Sequence, residues 1–310
     1  MDVISDVLDT MRFSGNVFLH TNFAGEWGAQ FTDVNMPVFH CVLFGSCWFG
    51  VEREDASFDV TELKAGDVMF LPRGRTHFIA SSPDSKRIDR TIVPGEYCIT
   101  TDVPDDKADV RVLCGVFQPV ENFEHPLFLT LPEQIKARFA DAENNASWGS
   151  HAAYAIDTAI ALDAPGVGPL IDNLYMVLFI QILQQYYAGS HSANNFFCSR
   201  NAPRIYAVLE AIHKNPAYEW TLDNMAELSH FSRSAFTSNF RDTVGMSPMA
   251  YVLSWRMNLA RSLIRTTGLP LKVIAKRVGY RTQAGLNKAF KQYFGVAPKK
   301  LRAEQISDSG

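Results

Sequence analysis

Two short segments near the end of the chain carry polar side chains suited to contacts with DNA bases and phosphates. Arginine pairs with guanine edges, glutamine and asparagine pair with adenine, and lysine, serine and threonine hold phosphates. The first segment offers, at helical spacing, Arg233, Ser234, Thr237, Ser238 and Arg241. The second offers Arg281, Gln283, Asn287, Lys288 and Lys291. We interpret both sets as candidate DNA-binding residues, although any one of them alone is more typical of a solvated surface.

The two segments belong to an internal repeat. Four pairs of residues are 50 positions apart, namely Phe236 and Leu286, Phe240 and Phe290, Gly245 and Gly295, and Pro248 and Pro298. Ala226 and Ala275 are 49 apart, so the first unit has one extra residue in its turn region. A fixed period over so many positions indicates a duplicated structural unit.

Each repeat predicts a helix, a tight turn and a second helix. In the first unit we expect Thr221 to cap one helix and Ser232 to cap the next, with His230 and Phe231 in the turn. A helix predicted over Pro248–Thr266 lies between the units and would fix their spacing.

The second unit repeats this plan with different residues. Pro270 opens its first helix, Gly279 breaks it, and Thr282 caps the second helix. Two such second helices, one turn of DNA apart, would reach adjacent major grooves.

The distribution of charge favours a polyanionic partner for this part of the chain. The formal net charge of the 310 residues is −4. Residues 1–200 contain 13 basic and 26 acidic side chains, whereas residues 201–310 contain 16 and 7. A basic C-terminal third on an acidic body is typical of nucleic-acid binding, with a solvated basic face as the alternative.

A second group of candidate residues lies in the N-terminal part. Short apolar runs broken by turns predict strands over residues 17–19, 38–44, 47–51, 68–71, 77–80 and 110–117, with turns at 45–46, 64–67 and 72–74. Such spacing indicates a barrel or sandwich. His40, His77 and Cys114 could face its interior, and two imidazoles with a thiolate suit zinc or another transition metal. A small-molecule or redox sensor, and an inert core with buried histidines, are the alternatives.

Helical spacing follows over residues 126–140, 150–162 and 168–188. The apolar stripe of the third segment, from Leu170 to Tyr186, is wide enough for core packing or for a dimer interface. Residues 170–187 are a poor membrane span because they contain one aspartate, one asparagine and three glutamines.

Residues 1–10 lack the features of a secretion signal, and the five cysteines show no pairing pattern. We therefore expect a cytoplasmic protein with reduced thiols and no membrane contact.

The C-terminal third resembles the AraC/XylS family of bacterial transcription regulators. The matching residues are Ala226, residues 232–240, residues 245–248, Tyr251, Arg256, Ala260, Leu263, residues 274–275, 278–280 and 289–291, Gly295, Pro298 and Arg302. The resemblance implies a seven-helix domain, double-stranded promoter DNA and RNA polymerase as partners, and a tendency to activate transcription. Leu286 and Leu301 depart from the aromatic residues usual in the family, and Gly285 weakens the second recognition helix.

The N-terminal part resembles the cupins. Residues 66–77 follow the second cupin motif, G-x5-P-x-G-x2-H, which ends at His77. The first motif is reduced to His40. Residues 40–48, 66–77, 113–117 and 125–131 also resemble a cupin subgroup that is fused to this DNA-binding domain, in which some members respond to reactive chlorine species through cysteines. Cys114 matches one such position, and residues 16–25 contain no second cysteine.

These observations predict an α+β protein. We expect a cupin-like sensor barrel over residues 1–120, a helical extension with a dimerisation role over 121–188, a linker over 189–202 and an all-α domain with two helix-turn-helix units over 203–310. The expected function is sequence-specific regulation of transcription, controlled by a small-molecule, metal or redox signal at the barrel. The alternatives are a metal-dependent cupin enzyme with an accessory DNA-binding domain and an architectural DNA binder without sequence preference.

Overall fold

The computed structural model describes residues 6–7, 13–32, 34–93, 103–119, 131–139, 148–162, 165–189 and 202–307. Contacts between Cα atoms divide these residues into two units. The N-terminal unit contains the described residues from 13 to 189, and the helical unit contains residues 202–307 together with Asp6 and Val7. The predicted linker lies almost entirely outside the described residues, and the predicted domain boundaries stay predictions.

Nine strands in the described part of the N-terminal unit form one curled sheet. They are β1 (Phe13–Phe23), β2 (Gly28–Phe31), β3 (Val38–Glu52), β4 (Phe58–Lys64), β5 (Asp67–Leu71), β6 (His77–Ala80), β7 (Ile88–Arg90), β8 (Val110–Pro119) and β9 (Ile135–Arg138). The main path runs β1-β8-β3-β6-β2-β7, with β4 and β5 paired to β3 and β9 paired to β5. All six runs predicted to be strands lie within strands, and the α+β class is confirmed.

The strand β3 belongs to both halves of the curled sheet. Its first residues pair with β5 and β8, and its later residues pair with β4 and β6. The turn predicted at residues 45–46 is wrong, because the strand continues through Gly45. Gly45 has φ +74°, and a Cβ there would collide with the carbonyl oxygen of Asp109. Glycine therefore lets the strand bend without ending.

Two helices follow the sheet, α1 (Trp148–Leu162) and α2 (Val167–Gly189). The ring of Tyr175 on α2 lies over two strand glycines, Gly15 and Gly115, where no Cβ would fit. Asp172 accepts a hydrogen bond from the Gly15 amide at 2.8 Å. These contacts join α2 to β1 and β8.

A helix predicted over residues 126–140 is wrong where the structure describes it. Residues Ile135–Arg138 form β9, with side chains alternately buried and exposed, antiparallel to β5. The Gln185 side chain accepts from the Arg138 amide and donates to its carbonyl oxygen, both at 2.8 Å. The Gln185 side-chain amide thus hydrogen-bonds backbone groups that an edge strand leaves unpaired. Tertiary pairing has thus overridden the local helical spacing.

By length and composition, residues Val167–Tyr186 of α2 pass as a membrane span, with mean hydropathy 1.4 and 28% of the segment buried. Core helices of soluble proteins have the same composition. Tyr175 and Phe179 pack on Phe117 of β8, with ring centroids 5.4 and 5.2 Å away. This packing corresponds to the first of the two alternatives that the sequence left open for the stripe, core packing and a dimer interface.

Between residues 202 and 307 the structure has seven further helices: α3 (Ala202–Lys214), α4 (Leu222–Leu228), α5 (Arg233–Val244), α6 (Pro248–Thr266), α7 (Leu271–Arg277), α8 (Gln283–Phe294) and α9 (Pro298–Ser307). Thr221, Ser232 and Thr282 cap α4, α5 and α8 through their side chains, as predicted. Ser247 caps α6 in the same way, which the sequence analysis missed.

The turns of the two helix-turn-helix units use different residues for the same conformation. His230 has φ +54° in the first unit, and Gly279 has φ +85° in the second. Both lie in the left-handed region, which glycine tolerates freely and histidine visits less often.

The Tyr175 packing predicts a position-specific effect of adding one methyl group. Gly115→Ala should destabilise the N-terminal unit by about 1–3 kcal/mol, because Tyr175 and Phe39 already occupy the space of the new Cβ. Urea unfolding of the full chain measures this change. Gly168→Ala on α2 meets nothing within 4 Å and is the matched control. Equal stabilities for the two variants would show that Tyr175 is not held against the strand.

Candidate DNA-binding surface and barrel-core site

Buried aromatic and aliphatic side chains orient the second helix of each helix-turn-helix unit. Phe236 and Phe240 lie under α5, and Leu286 and Phe290 lie under α8, all fully buried. Because an α-helix repeats every 3.6 residues, anchoring these positions turns the intervening polar residues outward. Leu286 fills its position in the core of the second unit although the family usually has phenylalanine there.

On α5 the five predicted residues line one shallow groove formed by Arg233, Ser234, Thr237, Ser238 and Arg241. Arg233 contacts Asp223 of α4 at 3.4 Å, and both side chains are largely exposed. Exposed pairs of this kind contribute little stability, so a DNA phosphate can displace the carboxylate. Arg241 has no ion pair or side-chain hydrogen bond within the described residues. The groove therefore presents two arginines available to a polyanion.

On α8 the structure presents a comparable but sparser face. Gln283, Lys288 and Lys291 are exposed, and Asn287 is half-buried. The carbonyl oxygen of the Asn287 side chain is buried and accepts no hydrogen bond. Its acceptor therefore points away from solvent. The two lysines suit phosphates better than base edges.

Arg281 precedes the cap of α8. It lines a cleft with Trp220, Arg256, Lys276 and Tyr280. Arg256 donates to the Pro216 and Tyr218 carbonyl oxygens, at 2.8 Å each, and so positions the loop before α4. Lys276 is exposed beside Arg281, and the sequence analysis missed it because it belongs to the first helix of its unit.

In the curled sheet the structure brings the two predicted histidines into direct contact. The Nε2 atoms of His40 and His77 are 2.8 Å apart. The His77 Nδ1 atom is 2.6 Å from the Arg75 carbonyl oxygen, which can only accept, so Nδ1 carries the proton. His77 Nε2 is then the acceptor and His40 Nε2 the donor. This leaves the buried His40 Nδ1 as an acceptor without a hydrogen-bond partner.

Aromatic rings surround the histidine pair. The Phe31 ring is 5.6 Å from His40 and 5.2 Å from His77, and Phe49 is 5.5 and 5.8 Å from them. Phe18 meets His40 edge-on at 5.9 Å. Burial lowers the pKa of His77 to about 4. Burial, and then the neighbouring His77, hold the pKa of His40 well below its ordinary value. Both imidazoles are therefore neutral at pH 7.

Cys114 pairs with His40 across β3 and β8, and it is fully buried on the same interior face. Within the described residues, no three His, Cys, Asp or Glu side chains are grouped so that they could hold a metal ion. The lone pair that His77 would offer a metal is used by His40. His40, His77 and Cys114 therefore do not fit the zinc or other transition metal that their residue types suggested.

The two other described cysteines are buried thiols with raised pKa values. Burial, followed by nearby carboxylates, raises the pKa values of Cys41 and Cys47 to about 12. Because the thiolate is the reactive form, neither thiol is poised for oxidation.

A curled β-sheet unit followed by duplicated helix-turn-helix units, with a polar face on each recognition helix, is the architecture of a DNA-binding transcription regulator. The cupin family profile matches residues 2–188, and a helix-turn-helix domain profile matches residues 225–304. The chain belongs to the cupin family and is a cupin-domain regulator of the AraC type.

Relatives are similar to this chain along its whole length. The HTH-type transcriptional regulator AlkR of Acinetobacter baylyi is 26% identical over 98% of this chain and 100% of its own length. A putative AraC-like transcription regulator of Streptomyces lividans is 26% identical over 97% of this chain and 98% of its own. The RCS-specific HTH-type transcriptional activator RclR of Escherichia coli is 24% identical over 97% of both chains. These relatives are named as regulators and give the cupin-enzyme alternative no support.

The buried histidine pair predicts a loss of stability in acid. In the unfolded chain histidine binds a proton near pH 6.5, whereas His77 in the fold does so only near pH 4. Between these values the unfolded state binds more protons, so stability falls as pH falls, by up to about 1.4 kcal/mol per pH unit for each histidine.

Urea unfolding at pH 7.0, 6.0, 5.0 and 4.5 tests this dependence. The double variant His40→Leu/His77→Leu removes both nitrogens of the hydrogen bond together and should lose less stability over this window. His213, whose pKa burial lowers to about 3, is present in both proteins and cancels in the comparison. Parallel pH profiles would show that the pair is not the source of acid sensitivity.

Proposed function

We propose that this protein is a sequence-specific activator that binds double-stranded promoter DNA through α5 and α8. One observation carries this proposal: the five polar residues of α5 line a single groove on a different face of the helix from the buried Phe236 and Phe240. The second unit repeats the arrangement 50 residues later with Gln283, Asn287, Lys288 and Lys291. Arg281 contacts DNA beside the second unit, with Lys276 next to it. In this proposal RNA polymerase is the protein partner, and the protein acts in the bacterial cytoplasm.

We propose that the two recognition helices contribute unequally. The groove on α5 contains two arginines, which can form paired hydrogen bonds with guanine. The face of α8 contains two lysines, an asparagine with a buried acceptor and one exposed glutamine, Gln283, that can read adenine. The first unit therefore supplies most base recognition, and the second supplies mainly phosphate contacts.

The signal acts at the N-terminal unit, with His40, His77 and Cys114 as the sensor residues. All three are buried in a filled aromatic core. A proton, an oxidant or a small effector that altered any of them would add charge or volume where neither fits. The sheet would then shift to a different packing, and this population shift would change DNA binding.

The same burial argues against the metal-dependent enzyme. His40 is 2% exposed and His77 is 0% exposed, so neither offers an open face to a substrate in the described sheet. We infer that the chain has no catalytic role.

We also propose a homodimer built on the outer face of α2. Tyr175 and Phe179 face the sheet, whereas Leu170 on the opposite side is 49% exposed, with Leu174 and Val177 half-buried in line with it. A second copy would cover this stripe by isologous packing, the usual arrangement in dimers.

Arg241→Ala should weaken binding to the DNA sequence that the full-length protein selects from a random pool. The loss of a base contact costs about 1–3 kcal/mol, or about tenfold or more in Kd, with a smaller effect on scrambled duplex. Lys291→Ala should weaken both duplexes and lower the slope of log K against log salt by about one unit.

Fluorescence anisotropy at four salt concentrations gives both quantities. Lys214→Ala is the control, because Lys214 lies on α3 and pairs with Glu210 at 2.7 Å. Unchanged affinity and slope in Arg241→Ala and Lys291→Ala would remove both helices from the interface.

Leu170→Glu should shift the dimer toward monomer by about tenfold or more, because association would bury an unpaired carboxylate. Sedimentation equilibrium measures the dissociation constant. Ala161→Glu places the same charge on the exposed face of α1 and should leave association unchanged. A concentration 100 times that needed for specific DNA binding is roughly micromolar. If the wild-type chain sediments as a monomer at this concentration, the proposal is contradicted.

A further inference from the structure

We propose that the N-terminal unit has a surface site for a small carboxylate with an apolar or aromatic body. The site is formed by Phe23, Trp27, Lys86 and Arg90. It is separate from the buried histidine pair, and it does not rest on the DNA-binding proposal.

The site is a cavity of about 440 Å³ beside the paired strands β2 and β7. This volume is within the range of about 300–1,000 Å³ that small-molecule pockets occupy. The rings of Phe23 and Trp27 form one wall, stacked with centroids 4.0 Å apart and planes within 11°. Ala29 and Ile88, which are opposite each other in the β2–β7 register, add apolar surface.

Two cations in this cavity have no partner among the residues that the structure describes. The Nε atom of Arg90 is buried and has no hydrogen bond. Neither Arg90 nor Lys86 forms an ion pair or side-chain hydrogen bond with any residue that the structure describes. Arg90 is half-buried and Lys86 is exposed. Because neither cation is paired with a carboxylate, an anion in the cavity that reaches their accessible nitrogens gains binding energy there.

The neighbouring Arg87 does not line the cavity, and although its Nε atom is also buried without a hydrogen bond, the rest of its guanidinium is held within the fold. Arg87 donates to the Pro83 carbonyl oxygen at 2.7 Å, and its guanidinium lies 3.5 Å from the Phe78 ring centroid. The chain therefore uses Arg87 structurally and leaves Lys86 and Arg90 available.

The lining determines the class of ligand. One carboxylate, Glu26, faces two cations, so the cavity carries an excess of positive charge. An anion satisfies this charge, and an apolar or aromatic body matches Phe23, Trp27 and Ile88. A carboxylate also suits the fork of an arginine, with which it forms two parallel hydrogen bonds.

The cavity is connected to the interior through β2. Ala29 lines the cavity, and Phe31, two residues further along the strand, contacts both His40 and His77. Trp27 is hydrogen-bonded to Ser81 through both backbone groups, at 3.0 and 2.9 Å. A ligand against Trp27 and Ala29 therefore bears on the strand that covers the histidine pair.

Isothermal titration of the full-length chain with three probes of similar shape tests the site. The probes are 1-naphthoate, the neutral 1-naphthalenemethanol and the cationic 1-naphthylmethylamine. We expect 1-naphthoate to bind about tenfold or more tightly than the neutral probe, and the cation to bind least, because one charge-assisted hydrogen bond contributes this much. Arg90→Gln should reduce 1-naphthoate binding by about tenfold and leave the neutral probe unchanged.

Lys86→Gln is the second variant, because Lys86 is exposed and its replacement leaves the fold intact. It should weaken 1-naphthoate several-fold. Arg53→Gln, on the exposed end of the same sheet, is the charge-matched control and should change nothing. Equal affinities for the three probes would overturn the proposal, as would failure of 1-naphthoate to bind at millimolar concentration. Binding of 1-naphthoate that neither Arg90→Gln nor Lys86→Gln weakens would also overturn it.

Discussion

The burial of Phe236 and Phe240 beneath α5 is the interaction on which the DNA-binding surface depends. Each buried phenylalanine contributes about 1.5–3 kcal/mol, whereas an exposed ion pair such as that between Arg233 and Asp223 contributes about 0–1 kcal/mol. The apolar face therefore holds the helix in place. Because the polar residues contribute little stability, their identities are set by what the helix binds. The same division of roles holds in α8 with Leu286 and Phe290.

Local signals predicted most of the helical unit. Side-chain caps at Thr221, Ser232 and Thr282, and the bounds of the helix Pro248–Thr266, are all as expected, because a cap depends on residues within one turn. The outward set on α5 followed from periodicity alone. Lys276 was missed, because its position beside Arg281 depends on how the two helices of its unit pack.

Prediction was weaker wherever distant residues decide the outcome. Gly45 is a typical turn residue, but the strand only bends at Gly45 and then continues, with the Asp109 carbonyl oxygen packed against it. Residues Ile135–Arg138 lie in a segment whose apolar spacing predicted a helix, but β5 and Gln185 provide the partners of a strand. For the barrel site, the sequence correctly predicted that the His40 and His77 side chains face the same interior. They could not show that the two rings bond to each other and thereby use the nitrogen that a metal requires.

The course of β3 has a consequence for how the N-terminal unit loses its structure. At about 3.3 Å per residue, its 15 residues span roughly 50 Å, with His40 in one half of the curled sheet and Phe49 in the other. A slip of one residue would break the register on both sides of the strand at once, because β3 pairs with β5 and β8 in one half and with β4 and β6 in the other. Because both halves of the curled sheet share this one strand, we expect them to unfold together as a single foldon.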